Sequence, residues 1–289
     1  MEQNGFLLAR ESRRQTIISS RGHTMAETDY EVELDRLWES PILVSAETDL
    51  MGASIQLMDG PSFVSQYREI VVLEIYDFDF EGDRPTIIDG GANIGVACLW
   101  WLARWPKAKV IAFEPDPKIF DALRHNLRHY SSPELHCSAL STSKLGSKFV
   151  VQGSDGGRLE LSAVHSDDTL TVRTDDLGEA IDRLGHVDLL KLDIEGAETE
   201  VLLDAETHLW QVERVFVEYH SFVGQAQSLP DLLSLLRRQG FRVHLTTPVA
   251  AVRPFRTVPS AIGMDLQCNI WAWRDATAES ASEGQADAR

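Results

Sequence analysis

The sequence predicts an α/β protein whose parallel sheet is wound with helices on both faces. Two observations carry that expectation: short apolar segments alternate with helix-like stretches, and a glycine-rich turn joins one of those strands to the next helix.

Taken in order, 31–38 reads as a short helix with Val32, Leu34, Leu37 and Trp38 mostly on one side. Residues 53–58 read as a strand in which Ile55 and Leu57 alternate with polar neighbours. The stretch 63–78 mixes aromatic and aliphatic residues and is expected to be helical before it turns into the core. A regular rhythm then begins with the buried strand 86–88, a run of glycines and an apolar helix over 94–105. Strand 109–113 leads to a helix over 117–129, with Pro117 in the first turn, where no N–H donor is needed. Strands at 187–192 and 214–217 flank a helix over 197–209. A helix over 229–239 closes on Gly240, and strands at 241–245 and 269–273 complete the set. Ligands of such sheets sit beyond the carboxyl ends of the strands, which directs attention to the polar residues there.

Residues 1–24 and the low-complexity stretch 276–289 lack apolar anchors and are expected to be disordered. Between them the chain divides into an N-terminal cap over 25–84 and a main domain over 85–275. With 289 residues, 43% of them hydrophobic, it can bury a substantial core. No apolar run approaches the roughly 18 residues that cross a bilayer. Arg10, Glu11, Arg13 and Arg14 interrupt the only apolar stretch near the start, and Cys98, Cys137 and Cys268 are widely spaced. Both features predict a cytoplasmic protein with reduced thiols and no membrane partner. Acids outnumber bases 45 to 27, for a net charge of −18. Nucleic-acid binders present basic surfaces, so a small-molecule partner is expected instead.

The turn Ile88-Asp89-Gly90-Gly91-Ala92-Asn93-Ile94-Gly95 follows a strand and opens a helix, and Glu114 stands at the end of the next strand. Glycines let a backbone approach a ligand closely, and an acid in the place of Glu114 suits ribose hydroxyls. Nicotinamide and methyl-donor enzymes share that arrangement. Asp89 separates them by charge. A carboxylate at the lip of the turn, with no Lys or Arg beside it, would repel a diphosphate at the helix N-terminus. It would welcome S-adenosylmethionine, which carries a sulfonium and an ammonium. The plainer alternative is that Asp89 caps the following helix.

The segments TIIDGGANIGVACLWW, KVIAFEPDPKIFDALRHNL, VDLLKLDIEGAETEVL and VFVEYH, in that order, resemble the FkbM family of S-adenosylmethionine-dependent methyltransferases. The resemblance implies a Rossmann-like methyltransferase fold: a mostly parallel seven-stranded sheet with an antiparallel last strand, 241–245 and 269–273 forming the final hairpin. It implies O-methylation, on a hydroxyl of a sugar, polyketide or peptide natural product. By the same resemblance Asp89, Gly91, Asn93 and Gly95 line the methionine portion of the donor, Glu114 holds its ribose, and Ser138 and Ala139 flank its adenine.

Asp193 and Glu195 stand where an apolar strand stops and a helix begins, and Glu218 and His220 stand two apart near the next strand end. Side chains two apart on a strand point the same way, so the four are expected on one rim. In one reading His220 is the general base, with an ordinary pKa of about 6.5, and such a base contributes roughly 10²–10⁴-fold. In another, Asp193, Glu218 and His220 hold a divalent cation that acidifies the acceptor hydroxyl. In the plainest, Glu195 caps a helix, Glu218 pairs with Lys191 or Arg214, and His220 is structural.

Trp100, Trp101 and Trp105 read as core, Asp176 as part of a helix N-cap, and 154–157 as a turn. Two other enzyme readings stay open: an NAD(P)-dependent oxidoreductase and an N-methyltransferase. Against the second, Leu192-Asp193-Ile194-Glu195 stands where amine methylators often carry an Asn/Asp-Pro-Pro-aromatic motif.

Overall fold

The structure is a computed structural model that describes residues 27–143, 147–150, 158–159, 169–248, 255–256 and 263–274. The expectations for 1–24, 154–157 and 276–289 fall outside those residues.

Helix α1 (Glu27–Trp38) buries Leu34 and Leu37 and precedes a small antiparallel pair, β1 (Ala46–Thr48) and β2 (Ile55–Leu57). Helix α2 (Gly60–Tyr67) begins where Asp59 accepts a hydrogen bond from the Ser62 amide at 2.8 Å, with Pro61 in its first turn. The helix expected over 63–78 is shorter. It widens into a π turn over Arg68–Val72 and ends before Glu74, whose φ is +53°. Tyr76 and Phe78 then pack as irregular chain against Trp101 and Trp105.

Strand β3 (Thr86–Gly90) leads through the glycine turn into α3 (Val96–Arg104), followed by β4 (Lys109–Phe113) and α4 (Pro117–Asn126). Short strands follow: β5 (Glu134–His136), β6 (Ala139–Leu140), β7 (Ser147–Val150), β8 (Arg158–Leu159), β9 (Thr169–Val172) and β10 (Thr174–Asp175). Of these, β5 joins the main sheet, β6 pairs with β10, and β7 to β9 form a separate three-stranded sheet. Helix α5 (Leu177–Leu184), capped by Asp176, leads to β11 (Leu189–Leu192) and α6 (Glu198–Asp204). A 3-10 turn, Glu206–Gln211, takes the rest of the helix expected to run to 209. The chain closes with β12 (Arg214–Phe222), α7 (Leu229–Arg238), β13 (Phe241–Thr246) and β14 (Met264–Arg274).

The main sheet has seven strands in the order β13-β14-β12-β11-β3-β4-β5, and only β14 runs against its neighbours. One core, under α3, α4 and the N-terminal segment, holds Trp100, Trp101, Ile87 and Phe216; the other, under α5, α6 and α7, holds Ile88, Leu190 and Val217. That is the doubly wound arrangement the alternation predicts. The N-terminal segment is tied to the main domain by Asn126, whose side chain bonds the main chain of Gln56 (2.7 and 3.0 Å) and the Ile94 carbonyl (2.9 Å).

One strand length positions the site. The expected strand 214–217 runs on to Phe222 because β14 pairs with it throughout, setting Glu218 opposite Asn269 and His220 opposite Gln267. Its parallel neighbour β11 stops opposite Val217. Glu218 and His220 therefore stand beyond the end of β11, over the turn that follows it. Among the described residues no helix is long and apolar enough to cross a membrane.

Candidate active site

The glycine turn bends back on the sheet. Gly91, Asn93 and Gly95 have φ of +78°, +50° and +91°, and the Gly91 and Ala92 amides both donate to the Phe113 carbonyl at 3.0 and 2.9 Å. A Cβ on Gly91 would lie 1.8 Å from the Asp193 carbonyl oxygen, so only glycine lets the turn lie this close to the end of β11.

Glu114 stands at the end of β4. Its two oxygens accept from the Asn93 amide at 3.0 Å and the Asp116 amide at 2.9 Å. Burial pushes its carboxyl up to about 7, partly opposed by those two N–H groups. Just after β5, the strand beside β4, Ser138 and Ala139 are buried, and the Ser138 hydroxyl is taken up by Asp175.

Asp89 departs from expectation. It is fully buried behind the turn, not at its lip, and it has a cation beside it. The Lys191 ammonium lies 3.1 Å from Asp89 Oδ1 in an ion pair, and the Cys98 thiol is 3.3 Å from Oδ2. The cause is sheet register: parallel pairing of β3 with β11 sets Lys191 directly opposite Asp89. The pair is neutral and Lys191 is 3% exposed, so it neither repels nor holds a phosphate. The negative field of the site belongs instead to the rim formed by the later strand ends.

That rim gathers Asp193, Glu195, Glu218 and His220, as expected, together with Glu198. The carboxylate of Glu198 accepts from the amides of Ile194 (3.1 Å) and Gly196 (2.9 Å) and faces His220 Nδ1 at 3.1 Å. Helix α6 is thus preceded by a loop tied down by Glu198, and Glu195 does not cap it. Glu195 sits at φ +56°, which turns its carboxylate to within 3.9 Å of His220 Nε2. Glu218 lies 3.5 Å from the same nitrogen and is bonded by Gln267. Lys191 and Arg214, the partners weighed for Glu218, pair elsewhere.

The charges follow from this packing. Burial alone would push His220 down, but the hydrogen bonds of Glu198 and Glu218 and the field of Glu195 outweigh it and hold the imidazole well above its usual range. That direction favours the imidazolium over the neutral ring expected of a base near 6.5. Burial and the Glu218 charge push Asp193 up to about 7, and burial pushes Glu195 up to about 8. Asp193 is the less raised of these two rim acids. Asp193, Glu195 and His220 can each offer an atom within 4.8 Å of the others, with Glu195 in the place expected for Glu218, but the ring can ligate a cation only after losing its proton. From the N-terminal segment Glu69 adds a half-buried carboxyl pushed up to about 7, by burial first and Glu218 second.

Sequence reasoning passed over Glu198 and weighed Lys191 only as a partner of Glu218, not of Asp89. An acid at a helix start reads as a dipole complement. A lysine inside an apolar strand was the stronger signal, because a buried cation requires a buried partner.

The family model for the methyltransferase FkbM domain matches residues 89–243. The methyltransferase sdnD of Sordaria araneosa is 28% identical over 214 residues, covering 61% of this chain and 81% of its own. The 2-O-methyltransferase NoeI of Sinorhizobium fredii is 26% identical over 206 residues, covering 65% and 82%. The 31-O-demethyl-FK506 methyltransferase FkbM of Streptomyces tacrolimicus is 27% identical over 231 residues, covering 66% and 86%.

Proposed function

Since this chain belongs to the FkbM family of methyltransferases, we propose that it moves the methyl group of S-adenosylmethionine to a hydroxyl oxygen of a small or medium-sized metabolite, such as a sugar, polyketide or peptide natural product. The observation that carries this reading is contiguity: the Glu114-bound turn touches the end of β11 at Gly91, so donor cradle and carboxylate rim share one wall.

The residues fit such a donor. Gly91, Asn93 and Gly95 shape the turn for its methionine portion, with Asp89 supporting from behind. The Glu114 carboxylate, fixed by two amides, retains acceptor capacity for ribose hydroxyls. Ser138 and Ala139 border the adenine side, next to Glu114 because the Glu114 amide bonds the His136 carbonyl at 3.0 Å. When bound, S-adenosylmethionine supplies an electrophilic methyl carbon on a positive sulfur. The anionic rim favours that charge and would disfavour a diphosphate, which supports this donor over a nicotinamide.

At the rim Asp193 takes the proton of the acceptor hydroxyl as its oxygen gains the methyl group. The charge of His220 lowers the carboxyls of Asp193 and Glu195 against the burial that raises them, and Glu198 fixes its ring. Holding the reactants in line contributes about 7–11 kcal/mol and the base roughly 10²–10⁴-fold, so positioning is the larger share. The convergence of Asp193, Glu195 and His220 supports a second reading of the rim, in which a divalent cation lowers the pKa of the hydroxyl. The names of two relatives, a 2-O-methyltransferase and a 31-O-demethyl-FK506 methyltransferase, support oxygen as the acceptor atom.

Donor carrying a 13C methyl, incubated with a panel of hydroxylated and aminated metabolites, tests this reading. A methyl-ether carbon in the product is expected; an N-methyl carbon would move the chain to amine chemistry. Turnover abolished by a chelator and restored by Mg²⁺ would transfer the role of the base to a metal ion.

A further inference from the structure

Lys191 makes contacts that neither a structural core residue nor a catalytic group requires. Its ammonium donates to the Gly91 carbonyl at 2.6 Å and the Gly90 carbonyl at 3.3 Å, and it lies 3.1 Å from Asp89 Oδ1 and 3.7 Å from Asp193 Oδ2. The two carbonyls accept its hydrogen bonds, and Asp89 is held beside them as an ion pair. Asp193, at 3.7 Å, receives its field. The carbonyls belong to the two residues where β3 turns into the donor loop, and Asp193 is two residues along the strand that carries Lys191. A second contact runs beside the first: the Asp193 amide donates to the Gly90 carbonyl at 3.1 Å. The side chain is enclosed, so none of these partners can be replaced by bulk water without opening the sheet end.

We propose that Lys191 is the positioning residue that ties the donor turn to Asp193, setting the Gly90–Gly91 carbonyls and the carboxylate in one fixed relation. This rests on the donor reading given above. Without the ammonium, two carbonyls and Asp89 converge on an empty point, and the turn loses the cation that holds its carbonyls inward. The Asn93 amide, which fixes the Glu114 carboxylate at 3.0 Å, then loses its set direction. Lys191 touches neither donor nor acceptor; it acts through the turn.

The test uses the full chain and S-adenosylhomocysteine as probe, read by calorimetry. Lys191→Ala is expected to weaken binding tenfold or more while the thermal midpoint still reports a folded protein. Propylammonium added to this variant is expected to restore affinity to within about threefold of the parent, because it returns the charge. The isosteric 1-propanol fills the same space without charge and is expected to restore none. Affinity within twofold of the parent in K191A, or equal rescue by 1-propanol, overturns the proposal and leaves Lys191 a space-filler. Should K191A not fold, Asp89→Asn combined with Lys191→Met removes both charges together. Weak binding by that folded pair supports the proposal and parent-like binding overturns it. Failure of the parent protein itself to bind S-adenosylhomocysteine would instead sink the donor reading, which keeps the two failures distinct.

Discussion

Asp193 and His220 divide the work at the rim by charge. Four carboxylates surround or adjoin the imidazole, and three of them, Glu198, Glu218 and Glu195, hold its proton. Asp193, pushed up to about 7, is the less raised of the two rim acids that are pushed up and the one proposed to take the acceptor's proton. Asp193→Asn should lower turnover by roughly 10²–10⁴-fold with little change in S-adenosylhomocysteine affinity. In the parent protein kcat/KM should rise with pH through about 7, as Asp193 loses its proton. His220→Gln separates the two histidine roles. Because the imidazolium holds Asp193 down, its loss should move that rising limb to higher pH and leave substantial activity. Near-complete loss, with an unmoved limb, would restore His220 as the base.

At the scale of elements, conformation at two positions decides whether the site forms. Gly91→Ala forces a side chain into left-handed backbone, costing about 1–2 kcal/mol from conformation alone. It also drives a Cβ into the Asp193 carbonyl, so a drop in thermal midpoint and loss of donor-product binding should appear together. Asp116, which caps α4 through the amides of Lys118 and Ile119, gives a milder test. Asp116→Ala should cost about 1 kcal/mol in chemical denaturation, with binding weakened only so far as the Glu114 loop loosens.

These elements also mark what the sequence could disclose. Strands β3, β4 and β11 were legible because buried parallel strands are short apolar runs, and the turn after β3 because its glycines are forced by close approach. Helix ends were less legible, since where 63–78 would break depends on a π turn and one left-handed glutamate. The length of β12 was hidden because it is set by pairing with β14, some 50 residues later. Lys191 beside Asp89 was hidden for the same reason. Cross-strand partners are adjacent only once register is known, and the argument that Asp89 stood alone fails there. The rim acids were visible as strand-end residues, whereas their protonation states depended on Glu198, Glu69 and burial.

For the whole molecule, stacking raised carboxyls into one site has a thermodynamic consequence. Asp193, Glu195, Glu114 and Glu69 all hold protons in the folded state at pH values where the unfolded chain has released them, between their ordinary range near 4 and about 7 to 8. The raised His220 works in the same direction, its contribution being lost only as pH rises through its folded value. Stability should therefore fall from about pH 5 to pH 8. Glu195→Gln should flatten that slope in thermal melts recorded across the range. Acids held below their usual values by cations, such as Glu33 beside Arg36, act only at lower pH and do not offset it.

The central question is what the glycine turn binds. Calorimetry of the protein with S-adenosylhomocysteine and, separately, with NADH addresses it, with Glu114→Gln as the paired variant. Saturable binding of S-adenosylhomocysteine, weakened tenfold or more by the substitution and accompanied by no heat with NADH, is the predicted result. Tight NADH binding with none of S-adenosylhomocysteine would contradict it.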